Sequence, residues 1–247
     1  MSAAKKPKAT PLAQVVDDAA DLHLPLLDDA IELAAERKPS WRGWIHAGTF
    51  PLAIAAGIVL IVLADGAAAK ASSAIFMATS LLLFGISAIY HRFNWKPSTK
   101  AVFRRLDHSN IFLLIAGTYT PLAVNALEFP KNVIMLSVIW GGATIGILSR
   151  IFWLKAPRWS YVVLYIALGW AAVIYMADLF SANPATMILV IIGGVSYTVG
   201  ALFYAFKRPN PIPGTFGFHE MFHSCTVIAF MCHWTAILVL VMNPPVL

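Results

Sequence analysis

The sequence predicts an all-α membrane protein, a seven-transmembrane helix bundle with its N-terminus cytoplasmic and its C-terminus outside. Three observations predict it. The chain is 59% hydrophobic and only 12% charged, about half the charge of a soluble domain, so its surplus apolar surface needs lipid. Apolar runs near the roughly 20 residues that a bilayer crossing requires recur seven times. When the loops are assigned alternately to two sides, 16 of the 18 Lys and Arg fall on one side, which positive-inside bias makes cytoplasmic. The net charge of +6 then belongs to membrane-flanking loops. No basic and aromatic nucleic-acid motif accompanies it.

Residues 1–40 read as a cytoplasmic tail. Lys5, Lys6 and Lys8 are followed by acids from Asp17 to Glu36. No apolar stretch follows the lysines, so a cleaved signal peptide is not expected. Residues 1–24 are expected to be disordered, and Pro25–Lys38 suits either a short amphipathic helix on the membrane surface or a flexible tail. Residues 41–247 form the membrane domain. Its spans are Trp44–Leu63, Ser72–His91, Leu106–Leu127, Asn132–Ser149 with an extension toward Leu154, Trp159–Ala177, Ala185–Phe206 and Phe216–Val241. Trp41, Trp44, Tyr90, Trp95, Trp153 and Trp159 lie near span ends, where amphipathic rings anchor. Gly142-x-x-x-Gly146 on the fourth span suits close helix packing, within the bundle first and in a homodimer second. Cys225 and Cys232 stand about 10.5 Å apart along one helix, too far to pair.

Ionisable residues inside spans are costly and mark function. Here they are His46, His91, Asp107, His108, His219, Glu220, His223 and His233. With the predicted orientation, all but His233 gather at the cytoplasmic ends of four helices. His233 lies about 15 Å further along its helix than His223 and reads as a buried histidine bonded to another helix. Groups near helix ends also reach water, and this serves for His46 and His108 as well as a site role does. His219 and His223, four apart, share one helix face. With His91 they make three imidazoles at one depth, an open zinc site that leaves a fourth position for water. Asp107 is placed to hold or deprotonate that water. Ser87, one turn from His91, is placed to bond the water, Asp107 or a substrate carbonyl. His46, His108 and Glu220 are candidates for the surrounding shell. His219-Glu220-Met221-Phe222-His223 also matches the H-E-x-x-H pattern of zinc proteases with Glu220 as base, a short pattern that does not require the candidates on the second and third spans.

Ser87-x-x-x-His91, Asp107 and His219-x-x-x-His223 together resemble the progestin and adipoQ receptor family, which includes bacterial hemolysin III proteins and adiponectin receptors. Arg105-Leu-Asp-His-Ser-Asn-Ile, Ala116-Gly-Thr-Tyr-Thr-Pro121 and Phe216-Gly-Phe-His-Glu-Met-Phe-His223 look most like the hemolysin III branch. The resemblance covers about residues 40–242. It implies seven helices with the N-terminus inside the cell, zinc held by His91, His219 and His223, and Asp107 and Ser87 as partners of the water completing the coordination. In one departure, Pro39 and Arg42 stand ahead of His46 where the family often has Glu and Asn.

The leading functional expectation is a zinc-dependent hydrolase of a lipid amide or ester in the bacterial plasma membrane, with Asp107 as general base. The likeness to ceramidase-like enzymes favours an amide. The alternative from another class is a non-enzymatic membrane-homeostasis sensor or receptor with structural zinc. An intramembrane metalloprotease and a pore-forming hemolysin rank below both, since a pore needs a polar stripe through the bilayer and the outer halves of these spans are almost wholly apolar.

Overall fold

The computed structural model describes residues 39–153 and 158–245. The expected tail helix Pro25–Lys38 lies outside the described residues. Among those residues the chain is helical, apart from an isolated bridge between Ile212 and Phe216. The helices are α1 (Trp44–Leu63), α2 (Gly66–Arg92), α3 (Pro97–Ala126), α4 (Lys131–Phe152) and α5 (Arg158–Gly169). A 3-10 turn (Ala171–Tyr175) leads into α6 (Met176–Ala182), followed by α7 (Pro184–Phe206) and α8 (Phe218–Met242).

Six stretches are long and apolar enough to cross a membrane: α1, α2, α4, the composite Ser160–Ala182, α7 and α8. Their outer faces carry exposed Leu52, Val62, Val138, Ile145, Ile174 and Ile188. So much contiguous apolar surface belongs in lipid, not water. Neighbours close the bundle: α1 packs on α2, α2 on α3, α3 on α4, α4 on α5, α5 on α7, α7 on α8, and α8 back on α1.

The expected third span lies within α3, which is long enough at 30 residues but too polar to join those six. Its position explains this. Helix α3 also touches α5, α6 and α8, so Ser109, Asn110, Thr118 and Thr120 are buried against protein. Thr118 and Thr120 donate to Leu114 O and Ala116 O one turn back, and Asn110 Nδ2 donates to Leu82 O on α2. A helix enclosed by others does not need the apolar surface that lipid demands. Helix α3 also starts nine residues before the expected Leu106. Pro97 opens it, a residue suited to the first helical position, and Lys100, Arg104 and Arg105 ride on this extension.

The fifth span, expected as one run over Trp159–Ala177, is interrupted between α5 and α6. A break at membrane depth needs partners for the freed backbone groups. Tyr119 of α3 supplies two: its hydroxyl donates to Gly169 O at 2.7 Å and accepts from Ala172 N at 2.8 Å. Trp170 Nε1 donates to Thr198 Oγ1 of α7. Removing only the hydroxyl, with Tyr119→Phe, is therefore expected to destabilise the bundle by about 1–3 kcal/mol. A denaturation midpoint in micelles unchanged from wild type would refute this.

The glycine pair on α4 is used inside the bundle. A side chain at Gly142 would strike Leu168 of α5, and one at Gly146 would strike Phe112 of α3. Both cysteines are free.

Candidate metal centre

Three segments meet at one end of the bundle. The entry to α1 is tied to the loop before α8, where Ser40 N donates to Gly214 O and Trp41 N to Thr215 O. Gly43 then turns into α1 with φ of +82°, and a Cβ there would press on His91 Cβ and Arg92. Only glycine meets both demands comfortably, so the last turn of α2, carrying His91, can lie close against the start of α1. Helix α8 begins beside it. The Glu220 carboxylate accepts from Gly217 N at 2.9 Å and so caps the helix, while Asn210 Oδ1 accepts from Phe218 N.

This anchoring brings His91, His219 and His223 together. One ring nitrogen from each lies within 4.8 Å of the others, a set able to hold a metal ion. His91 Nε2 and His219 Nε2 are 3.2 Å apart. The ring centroids of His91 and His223 are 5.2 Å apart, and those of His219 and His223 4.6 Å. His91 and His223 are buried. Asp107 stands outside this group of three, its Oδ2 3.8 Å from His91 Nε2, and is hydrogen-bonded to the hydroxyl of buried Ser87.

The other candidates separate by position. His46 stacks on His223 with centroids 3.8 Å apart and planes 8° from parallel, edge-on to Phe84. It is buried, and neither ring nitrogen has a hydrogen-bond partner among the described residues. His108 receives a hydrogen bond at Nδ1 from Arg150 Nη2 at 2.9 Å and lies outside the metal-holding group. Glu220 is engaged away from the histidines: besides its cap, its Oε1 accepts from Arg42 Nε at 2.6 Å. Arg42, at one of the two positions where the sequence departs from the family pattern, thus holds the carboxylate that the protease pattern would need as a base. Sequence reasoning missed this pairing, since nothing in the spacing links Arg42 to Glu220. It also missed Tyr119 and Tyr197, because neutral tyrosines do not stand out among ionisable groups.

The histidines open onto a cavity of about 110 Å³. It begins among His46, Ser87, Asp107, His219 and His223 and extends past Leu114, Thr118 and Leu122 to Val190, Tyr197 and His233. Most of its wall is aliphatic or aromatic.

Comparisons with known proteins agree with this arrangement. A profile described as "Haemolysin-III related" matches residues 35–234. The chain belongs to the haemolysin-III-related family. It is 35% identical over 138 residues to the "Hemolysin-3 homolog" of Bacillus subtilis (strain 168), covering 56% of this chain and 64% of that protein. It is 32% identical over 161 residues to "Hemolysin-3" of Bacillus cereus, covering 64% and 73%. A more distant relative is the "Progestin and adipoQ receptor-like protein 1" of Caenorhabditis elegans, at 27% over 182 residues, 66% of this chain and 42% of that protein. As a family member with six membrane-length apolar helices, the chain is a multi-pass bacterial membrane protein.

If Glu220 is a cap and ion-pair partner, Glu220→Gln lowers stability but spares the metal. The neutral amide weakens its bond to the Arg42 guanidinium, and breaking a buried pair costs up to about 3–5 kcal/mol. Metal content of the purified variant is expected to stay at the wild-type level. Its loss would return Glu220 to the site.

Proposed function

We propose that this haemolysin-III-related protein is a zinc-dependent hydrolase of lipid amides or esters. In this reading α3 is the seventh crossing, the N-terminus lies in the cytoplasm and the C-terminus outside, as the basic loops indicate. The observation that carries the reading is the apolar cavity leading away from the three histidines, wide and long enough for an acyl chain beside a polar head.

The donor set fits zinc. Bonds of about 2.0–2.1 Å in a tetrahedral site separate two imidazole nitrogens by about 3.3 Å, close to the 3.2 Å between His91 Nε2 and His219 Nε2. Zinc held by these residues supplies a Lewis acid that polarises a carbonyl and acidifies water. The remaining work falls to the protein. Asp107 accepts a proton from water as the water oxygen bonds to the carbonyl carbon, then returns a proton to the leaving nitrogen or oxygen as the bond to it breaks. The products are a carboxylic acid and an amine or alcohol. Ser87, hydrogen-bonded to Asp107, orients the carboxylate. The cavity wall holds the chain and excludes water from the bond being cut.

The test pairs metal analysis with a lipid-product screen. Purified protein is expected to carry about one zinc per chain and to release fatty acid from a lipid amide or ester in micelles. Zinc-loaded protein that turns over no such lipid would favour the second reading, a non-enzymatic membrane sensor in which zinc ties α2 to α8. The receptor name of the nematode relative favours that alternative.

A further inference from the structure

The far end of the cavity contains two polar atoms that its walls leave unmatched. Most hydroxyls along the cavity are already committed. Thr118, Thr198 and Thr226 donate to carbonyls of their own helices. Tyr119 bridges the break after α5, and Tyr165 donates to His108 O. Tyr197 OH of α7 and His233 Nδ1 of α8 are buried and lack a hydrogen-bond partner among the described residues. The two rings are neighbours, with centroids 5.6 Å apart, and both line the cavity.

The orientation of His233 is fixed. Its Nε2 donates to Val190 O at 3.3 Å. Gly193 leaves the space for the ring, since a Cβ there would collide with Nε2 and Cδ2. With the Nε2 proton committed, neutral His233 presents Nδ1 as an acceptor. Tyr197 OH can donate or accept. A buried polar group without a partner costs about 1–3 kcal/mol, and here two such groups face one apolar chamber. A ligand hydroxyl satisfies both, donating to His233 Nδ1 and accepting from Tyr197. A carbonyl satisfies only the tyrosine, and a methylene neither.

We propose that Tyr197 and His233 form a subsite for a hydroxyl borne partway along an acyl chain, so that the cavity selects mid-chain hydroxylated lipids. This rests on the reading that the cavity holds an acyl chain with its polar head at the histidine triad, but not on hydrolysis. His233 lies about 15 Å along α8 from His223. An extended chain covers about 1.25 Å per bond, which places the hydroxyl about twelve carbons from the head.

The test measures displacement of a fluorescent fatty acid from purified, zinc-loaded protein by octadecanoic, 2-hydroxyoctadecanoic and 12-hydroxyoctadecanoic acids. Wild type is expected to bind the 12-hydroxy acid about tenfold more tightly than the other two, as two modest net hydrogen bonds predict. Tyr197→Phe, which removes one oxygen, is expected to erase that preference while leaving octadecanoic acid affinity within about twofold. His233→Gln provides a second variant, and the same loss of preference is expected. Equal binding of all three acids by wild type, or a preference that survives both substitutions, overturns the subsite and leaves the lipid cavity standing. Failure of every acid to displace the probe overturns both.

Discussion

His219→Ala is expected to empty the site of metal. Three imidazole nitrogens share one small space, and removing one leaves two donors, fewer than zinc sites use. Loss of an outer partner of a metal ligand already costs about 10–100-fold in affinity, and loss of a ligand costs more. His219 stands in the first turn of α8, with its ring against Tyr204 and Phe222. Truncating it leaves the Glu220 cap and the Arg42 pair intact. The fold should therefore survive, with unchanged helix content by circular dichroism, while metal content by mass spectrometry falls from about one per chain to nearly none. His108→Ala is the control, because His108 is held by Arg150 outside the metal-holding group; it should keep its metal. Adding His91→Ala to the first variant should cost no further metal, since residues acting as one unit are not additive. A His219→Ala protein that binds zinc with wild-type stoichiometry and affinity would dismantle the proposed centre.

How much of this was legible in the sequence depends on the range of the interaction. The apolar runs fixed six spans to within a few residues, because lipid imposes its length and hydropathy on any helix it touches. The same logic weakened at α3, where Asn110, Thr118 and Thr120 face neighbouring helices. It also could not foresee the break after Gly169, which depends on the hydroxyl of Tyr119, 50 residues away in the chain. At the site, His219 and His223 were readable from helical spacing. His91 was readable from its depth once the loop charges had oriented the bundle. Glu220 was misleading because its spacing fits a protease pattern, while its partners, Arg42 and the Gly217 amide, are set by how the start of α1 meets the loop before α8. Tyr197 carried no signal in the sequence. Its importance comes from an unmatched oxygen facing His233, a relation that exists only after α7 and α8 pack.

Asp107→Asn separates a working zinc centre from a structural one. The substitution conserves shape and leaves an oxygen for the bond with Ser87, but an amide cannot take a proton from water. Asp107 lies outside the three metal-holding residues, 3.8 Å from His91 Nε2, so the metal should stay at wild-type stoichiometry. Turnover of a lipid amide should fall by about 10²–10⁴-fold, the range that a positioned acid or base contributes, and the fall should appear in kcat with KM nearly unchanged, because the acyl chain rests on cavity walls that the substitution does not touch. Ser87→Ala should give a smaller loss, as it frees the carboxylate without removing it. If zinc is only a staple between α2 and α8, wild type has no lipid turnover to lose and both variants match it in every assay. If Asp107→Asn loses its metal along with its activity, the carboxylate is holding the ion instead of moving a proton, and the division of labour between Asp107 and the histidines must be redrawn.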